Sequence, residues 1–326
     1  MGRPRVLLTR DFIELDISDF RSEFDIHAGS KDGFMSREEL FAHLAEADAV
    51  IIRHQDHPNR EFIDAAPNLK IIANYGAGFE TVDVDHATER GIWVTNTPDV
   101  LNDTTADLAM TLLLCVCRRV TEGERYVRQG KWITYDPNDF HGSDPRGKTL
   151  GIVGMGRIGQ EFARLARTFK MKIIYHNRRR VSEEIESSLE AEYVDFNELL
   201  ARSDFISLHT PLTDETRYLL DTEEFEKMKG GVYVINTARG QVVRESALAA
   251  ALRSGKVAGA GLDVHENEPQ VHPEFFELEN VVLLPHLGSA TLETRAKMAA
   301  LTVENVRLVL GGQRPKTPVN EVSALA

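Results

Sequence analysis

The sequence predicts an α/β protein built from two doubly wound parallel-sheet domains. Three observations carry this. Short apolar runs alternate with helix-period segments along nearly the whole chain, the pattern of strand–helix–strand units. A chain of 326 residues exceeds what one typical core organises. A second series of such units starts abruptly near residue 149 with a glycine-rich turn between a strand and a helix.

In the first series, strands are predicted at 6–9, 49–52, 69–73 and 93–95. Residues 37–47 read as a helix, with Leu40, Phe41 and Leu44 on one face. A strongly apolar helix follows at 104–120, with Asn102, Asp103 and Thr104 as its capping cluster. Residues 123–148 break the rhythm, mixing Trp132, Tyr135 and Phe140 with Pro137, Gly142 and Pro145. Such an irregular segment is read either as a loop packed on its own domain or as an arm reaching a second subunit. The second series has strands at 149–154, 172–175, 205–209, 231–236, 258–263 and 281–285. Helices are predicted between them at 157–169, 196–202, 223–228 and 246–254. A last helix at 291–310 leads back to the first domain. The expected domains are therefore 1–101 with 290–326, and 102–289.

Composition narrows the function. Hydrophobic residues are 42% and charged residues 27% of the chain, an ordinary globular balance. A net charge of −13 speaks against nucleic acid, whose phosphates need a basic face. It also means that an anionic ligand requires locally placed cations. No apolar run reaches membrane-spanning length, and the N-terminus enters a strand without a signal-peptide core. Cys115 and Cys117 are the only cysteines; without further thiol ligands they read as buried thiols rather than a metal pair, and no metal is expected. So few cysteines point to a reducing compartment, with the cytoplasm as the expected location.

Gly154, Gly156 and Gly159 form a GxGxxG pattern after one predicted strand and at the mouth of a helix that takes in Arg157 and Ile158. In that setting the first glycine permits a tight turn, the second lets the backbone approach a pyrophosphate, and the third lets helix and strand pack. The second domain is thus predicted to be a Rossmann-type dinucleotide-binding domain. At the end of its next strand an NAD site usually carries an acid for the ribose hydroxyls. Here Asn177 stands in that place, and Arg178, Arg179 and Arg180 follow. Guanidinium groups suit a 2′-phosphate that a carboxylate would repel. The reading favours NADPH/NADP over NADH/NAD, with Arg180 the member of the run best explained by solvent alone.

Three further strand ends carry chemistry. One leads into Asn236, Thr237, Ala238 and Arg239; one into Asp263 and then Glu268; one into His286 and Gly288. In a doubly wound sheet the carboxyl ends of the strands line the ligand crevice. An arginine, a glutamate and a histidine therefore arrive at one mouth.

On these residues, together with the runs 74–83, 209–216 and 285–290, the chain resembles the D-isomer-specific 2-hydroxyacid dehydrogenase family over nearly its whole length. Within that family it is most similar to the NADPH-dependent glyoxylate/hydroxypyruvate reductases. The resemblance implies a flavodoxin-like substrate domain, a Rossmann-type cofactor domain and a cleft between them. It implies that Arg239 clamps the carboxylate and carbonyl of a 2-oxoacid. It makes His286 the acid that protonates the carbonyl oxygen and Glu268 the carboxylate that orients the imidazole and favours its charged form. Ala77 and Gly78 would receive the substrate carboxylate on backbone N–H groups, with valine more usual at position 77. Asp263 would bind the nicotinamide carboxamide. Thr210, Pro211, Thr216, Thr237, Ala238 and Gly288 would line the cofactor. A homodimer is implied, with the 132–140 arm crossing to the partner. Arg53 and His54 are read either as border of the substrate pocket or as ordinary surface. The substrate class is glyoxylate or hydroxypyruvate, with 2-ketogluconate-like acids open. A different class also shares this fold: corepressor-like regulatory proteins that sense the dinucleotide.

Overall fold

The computed structural model describes residues 2–10, 18–29 and 35–322. The chain divides into two compact units, residues 1–101 with 289–326, and residues 102–288.

In the first unit the described residues give five parallel strands: β1 (Arg5–Leu8), β2 (Asp25–Ala28), β3 (Ala49–Ile52), β4 (Ile71–Asn74) and β5 (Trp93–Thr95). They lie in the order β2-β1-β3-β4-β5. β3 and β4 are buried along their full length, as expected of strands covered on both faces. The helices between strands are α1 (Ser18–Glu23), α2 (Arg37–Leu44), α3 (Arg60–Asp64) and α4 (Val84–Glu89). Ser36, Asn59 and Asp83 start the last three by accepting a backbone N–H three residues on. β2 was not expected. Its sequence, Asp25-Ile-His-Ala28, alternates at an edge with partial exposure and lacks the apolar run that marks the other strands.

The second unit opens with α5 (Asn102–Cys117) and α6 (Val120–Arg128). The helix expected at 104–120 is α5, which starts and ends earlier, and α6 is a second helix that was not expected. Asn102 and Asp103 lie within the first turn of α5 rather than capping it, and Arg119 adopts φ 54°, which ends the helical path. α6 intrudes on the segment expected to be irregular. It buries no residue, and Gly123 among charged residues makes its sequence a weak helix signal.

Seven parallel strands follow: β6 (Thr149–Val153), β7 (Lys172–His176), β8 (Ala191–Tyr193), β9 (Phe205–Leu208), β10 (Val232–Asn236), β11 (Val257–Leu262) and β12 (Val281–Leu283). Their order is β12-β11-β10-β9-β6-β7-β8, which reverses direction between β6 and β9. Intervening helices are α7 (Arg157–Thr168), α8 (Glu183–Leu189), α9 (Phe196–Arg202), α10 (Thr222–Lys227) and α11 (Glu245–Arg253). One face of the sheet packs Leu199, Leu200, Phe225 and Leu248 against Ile206 and Val234. The other packs Leu112, Leu113 and Phe162 against Ile152, Ile173 and Phe205. β8 and α8 were not expected. β8 is a three-residue edge strand with no fully buried residue, while α8 does carry a readable start, Ser182 accepting from Ile185 N before three glutamates. The chain returns to the first unit in α12 (Leu292–Leu310), capped by Thr291. No helix among the described residues is long and apolar enough to cross a membrane.

Candidate active site

The reversal of strand order in the second unit places the carboxyl ends of β6 and β9 side by side, the position where doubly wound sheets bind ligands. There the three glycines differ physically. Gly154 has φ +102°, and a Cβ on it would lie 2.7 Å from the His209 carbonyl carbon. Gly159 is buried; its Cβ would lie 2.2 Å from the Gly154 carbonyl oxygen. Around Gly156 an added Cβ meets nothing within 4 Å, and the residue caps α7 without a side chain. The outer glycines are thus required by packing, whereas Gly156 leaves an open approach to a helix start that carries the partial positive charge suited to phosphate. Arg157 is exposed and Ile158 half-buried in that first turn.

Thr210 and Thr237, just past β9 and β10, each bury a side-chain hydroxyl oxygen with no hydrogen-bond partner. Buried hydroxyls are ordinarily satisfied, so these two fit a ligand with polar groups laid across the strand ends. Pro211 is exposed, and Thr216 returns its hydroxyl to the Pro211 carbonyl at 2.7 Å, folding the loop after β9. Asn177, at the end of β7, accepts from Met155 N at 2.6 Å. Its carboxamide therefore ties β7 to the glycine turn, a role not foreseen. Arg178 and Arg179 are exposed. Glu215, on the loop after β9, has its carboxyl held low by the Thr213 hydroxyl and, more weakly, by Arg178.

The strand ends beyond β10, β11 and β12 bring the expected polar residues into one unit. His286 Nδ1 lies 2.8 Å from Glu268 Oε2, the histidine side chain 39% exposed and the glutamate 14%. Glu268 is itself fixed, its other oxygen accepting from His265 N at 3.1 Å. Beneath it, His265 and Glu245 form a buried pair 3.4 Å apart. His286 has φ 58°, a left-handed conformation that side chains other than glycine adopt at a cost. Asp263 explains how it is held. This buried carboxylate accepts from Leu287 N at 2.6 Å and Gly288 N at 2.8 Å, while its own carbonyl accepts from His286 N at 2.8 Å. Burial pushes the Asp263 carboxyl up; the two amides and His286 pull against that. Gly288 is buried, its carbonyl taken by the Thr105 hydroxyl at 3.1 Å.

Arg239 is half-buried, its Nη1 2.7 Å from the Ala238 carbonyl. Asn236 shapes this turn, accepting from Ala238 N at 3.0 Å and donating to the Arg239 carbonyl at 2.9 Å. Gly240 then packs so tightly on the His265 carbonyl that a Cβ there would approach to 1.9 Å. The turns bearing Arg239 and Glu268 are therefore in direct backbone contact.

In the first unit the loop after β4 holds Ala77 and Gly78, both half-buried. Asn74 donates to the carbonyls of Gly76 and Gly78 at 3.1 and 2.7 Å, and Asn96 to that of Ala77 at 2.7 Å. With all three carbonyls gathered by carboxamides, the loop is fixed; neither asparagine was singled out beforehand. After β3, Asp56 accepts from Thr9 Oγ1 and Arg53 N, both at 2.6 Å, and burial pushes its carboxyl up. His54 Nδ1 lies 3.6 Å from Glu80. Among the described residues, His27, Glu39 and His43 alone group three metal-ligating atoms within 4.8 Å. They are on β2 and α2, away from this loop in sequence.

Comparison with known proteins gives the family. The family model described as D-isomer specific 2-hydroxyacid dehydrogenase, NAD binding domain, matches residues 110–288. Glyoxylate reductase from Pyrococcus horikoshii is 44% identical over 322 residues, which is 98% of this chain and 96% of that protein. A glyoxylate reductase structure from Paecilomyes thermophila superposes with a TM-score of 0.86 at 39% identity, covering 98% of this chain and 99% of that one. An NADPH-dependent glyoxylate/hydroxypyruvate reductase from Sinorhizobium meliloti, in complex with NADP and malonate, gives a TM-score of 0.85 at 32% identity, covering 98% and 97%. The chain belongs to the D-isomer specific 2-hydroxyacid dehydrogenase family and is an oxidoreductase that uses a nicotinamide dinucleotide.

Proposed function

We propose that the protein reduces a small 2-oxoacid of the glyoxylate/hydroxypyruvate type to the D-2-hydroxyacid with NADPH. The observation that carries this is the Glu268–His286 pair at 2.8 Å, at strand ends of the same unit that holds the glycine turn. When bound, the reduced dinucleotide supplies the hydride that adds to C2 of the oxoacid. Gly154, Gly156 and Gly159, with the first turn of α7 at Arg157 and Ile158, hold the pyrophosphate. Thr210, Pro211, Thr216, Thr237, Ala238, Asp263 and Gly288 line the remainder of the dinucleotide, and the unsatisfied hydroxyls of Thr210 and Thr237 support that reading.

Glu268 holds Nδ1 of His286, so Nε2 is the nitrogen that passes a proton to the substrate oxygen as C2 is reduced. Arg239 pairs its planar fork with the substrate carboxylate and carbonyl, the local cation that a chain of charge −13 needs to hold an anion. Ala77 and Gly78, in the first unit, receive the carboxylate on backbone amides. Preference for NADPH rests on Arg178 and Arg179 in a strand end without an acid. The exposed side chains of Trp132, Ile133 and Tyr135 favour self-association through this segment.

Initial rates with glyoxylate, hydroxypyruvate and 2-ketogluconate, each with NADPH and with NADH, test the reading. His286→Gln should bind the dinucleotide normally while losing at least about 100-fold in kcat. Undiminished reduction by that variant would remove the proton-donor role. Dinucleotide binding without turnover on any 2-oxoacid would instead point to a regulatory sensor.

A further inference from the structure

Arg180 behaves unlike the two arginines before it. Its Nε and Nη2 each donate at 2.7 Å to a different oxygen of Glu186, on α8. That carboxylate is only 10% exposed and takes a third bond, 2.5 Å, from the hydroxyl of the fully buried Tyr175 on β7. The same hydroxyl accepts from Val181 N at 3.1 Å. The turn is tied at its other end too: Asn177 accepts from Met155 N at 2.6 Å, and its carbonyl accepts from the Tyr193 hydroxyl at 3.3 Å. The turn from 177 to 181 is thus pinned at both ends.

An enclosed carboxylate is costly unless fully paired, and a surface turn has no need of one. The location is what matters: the pinned turn carries Arg178 and Arg179. We propose that Glu186 is a positioning residue for cofactor selection, gripping Arg180 and Tyr175 so that the turn presents Arg178 and Arg179 to the 2′-phosphate. Arg180 is accordingly a strut and not a phosphate ligand, because its charge is met by Glu186. The carboxyl of Glu186, held down to about 2 by Arg180 first and Tyr175 second, remains ionised throughout the working range.

This inference rests on the NADPH reading of the site, and its test separates the two. Glu186→Gln keeps an acceptor for Tyr175 but cannot form the charged fork. It should raise KM for NADPH by about tenfold, with kcat and KM for NADH each within about twofold of wild type. Tyr175→Phe should move KM for NADPH in the same direction by about threefold, since it breaks one neutral and one charge-assisted bond. Should Glu186→Gln fail to fold, Arg180→Lys tests the same fork from its other side, and an unchanged cofactor ratio there would count equally against the proposal. A proportional rise in both KM values means a merely structural role and overturns the inference, as does an unchanged KM for NADPH. A wild-type enzyme that prefers NADH overturns the cofactor reading and this inference with it. A wild-type preference for NADPH that survives Glu186→Gln intact overturns this inference alone.

Discussion

Replacing Gly156 and Gly159 one at a time by alanine should separate cofactor binding from folding, although both belong to the same motif. On Gly159 the new Cβ would lie 2.2 Å from the Gly154 carbonyl oxygen and 3.3 Å from Ile152 Cγ2. Ordinary contact with a backbone oxygen needs about 3.4 Å, so α7 must move off β6 by roughly 1 Å, an overpacking worth about 2–3 kcal/mol. For a unit of this size that lowers Tm by about 4–12 °C. On Gly156 the Cβ meets nothing within 4 Å, and φ is −76°, open to any residue. Folding should cost about 1 kcal/mol, because alanine is a poorer helix N-cap than glycine. The methyl group would instead occupy the space through which the backbone approaches the pyrophosphate, weakening dinucleotide affinity by about tenfold or more. Thermal melts of the free protein and titration of dinucleotide fluorescence read the two effects separately. Wild-type affinity in Gly156→Ala, with Gly159→Ala as stable as wild type, would refute the division of labour argued for this turn.

Three further outcomes follow from the geometry. Asp263→Asn retains one acceptor for Leu287 N but sets an NH2 against Gly288 N; kcat should fall at least about tenfold, with a Tm loss of about 3–8 °C, by steady-state rates and melts. His209, half-buried beneath the glycine turn and bonded to Ser207 at 2.9 Å, has its pKa lowered by burial from 6.5 to about 3. The unfolded chain takes up this proton as pH falls through 6.5 and the folded chain does not, so stability is lost between pH 6.5 and 3; urea titration should show about 2 kcal/mol less acid sensitivity at pH 5 in His209→Gln than in wild type. Burial pushes the thiol of Cys117 up to about 11 and that of Cys115 upward, so both should resist iodoacetamide at pH 8 in the native protein and react once guanidinium unfolds it, as mass spectrometry would show.

What could be read in advance followed from strong local rules. The strands Ala49–Ile52 and Trp93–Thr95 and the helix Phe196–Arg202 were expected at their observed bounds, because apolar runs and a capping aspartate speak within a few residues. Gly154, Gly156 and Gly159 were legible from their spacing between a strand and a helix; φ +102° fixes glycine at 154 and close packing fixes it at 159, while 156 stands at the open helix start between them. Edge elements were not: β2 and β8 bury too little to show a period. The network behind the site was also hidden. Asn96, Tyr175 and Glu186 act on partners that only the fold brings close; Asn96 and Ala77 are 19 residues apart. A local signal did exist for Asn236, whose carboxamide bonds within its own turn in the manner of a capping residue. For Asp263 and Leu287, 24 residues apart, there was none.

The Asp263 contacts also explain why the candidate proton donor occupies a strained position. A left-handed backbone at a residue other than glycine costs about 1–2 kcal/mol. Hydrogen bonds to a charged acceptor are worth about 1.5–3 kcal/mol each, and Asp263 makes two, to the amides that immediately follow His286. These bonds hold the turn through its backbone, without any contribution from the imidazole. The ring does not have to bond inward to keep the turn, so its Nδ1 can be given to Glu268 at 2.8 Å. A glycine at 286 would relax the backbone and lose the acid; an extended backbone would keep the histidine and turn it elsewhere. Strain at this residue is the consequence of requiring both a side chain and a reversal at one strand end, and a second buried carboxylate is what makes that combination stable.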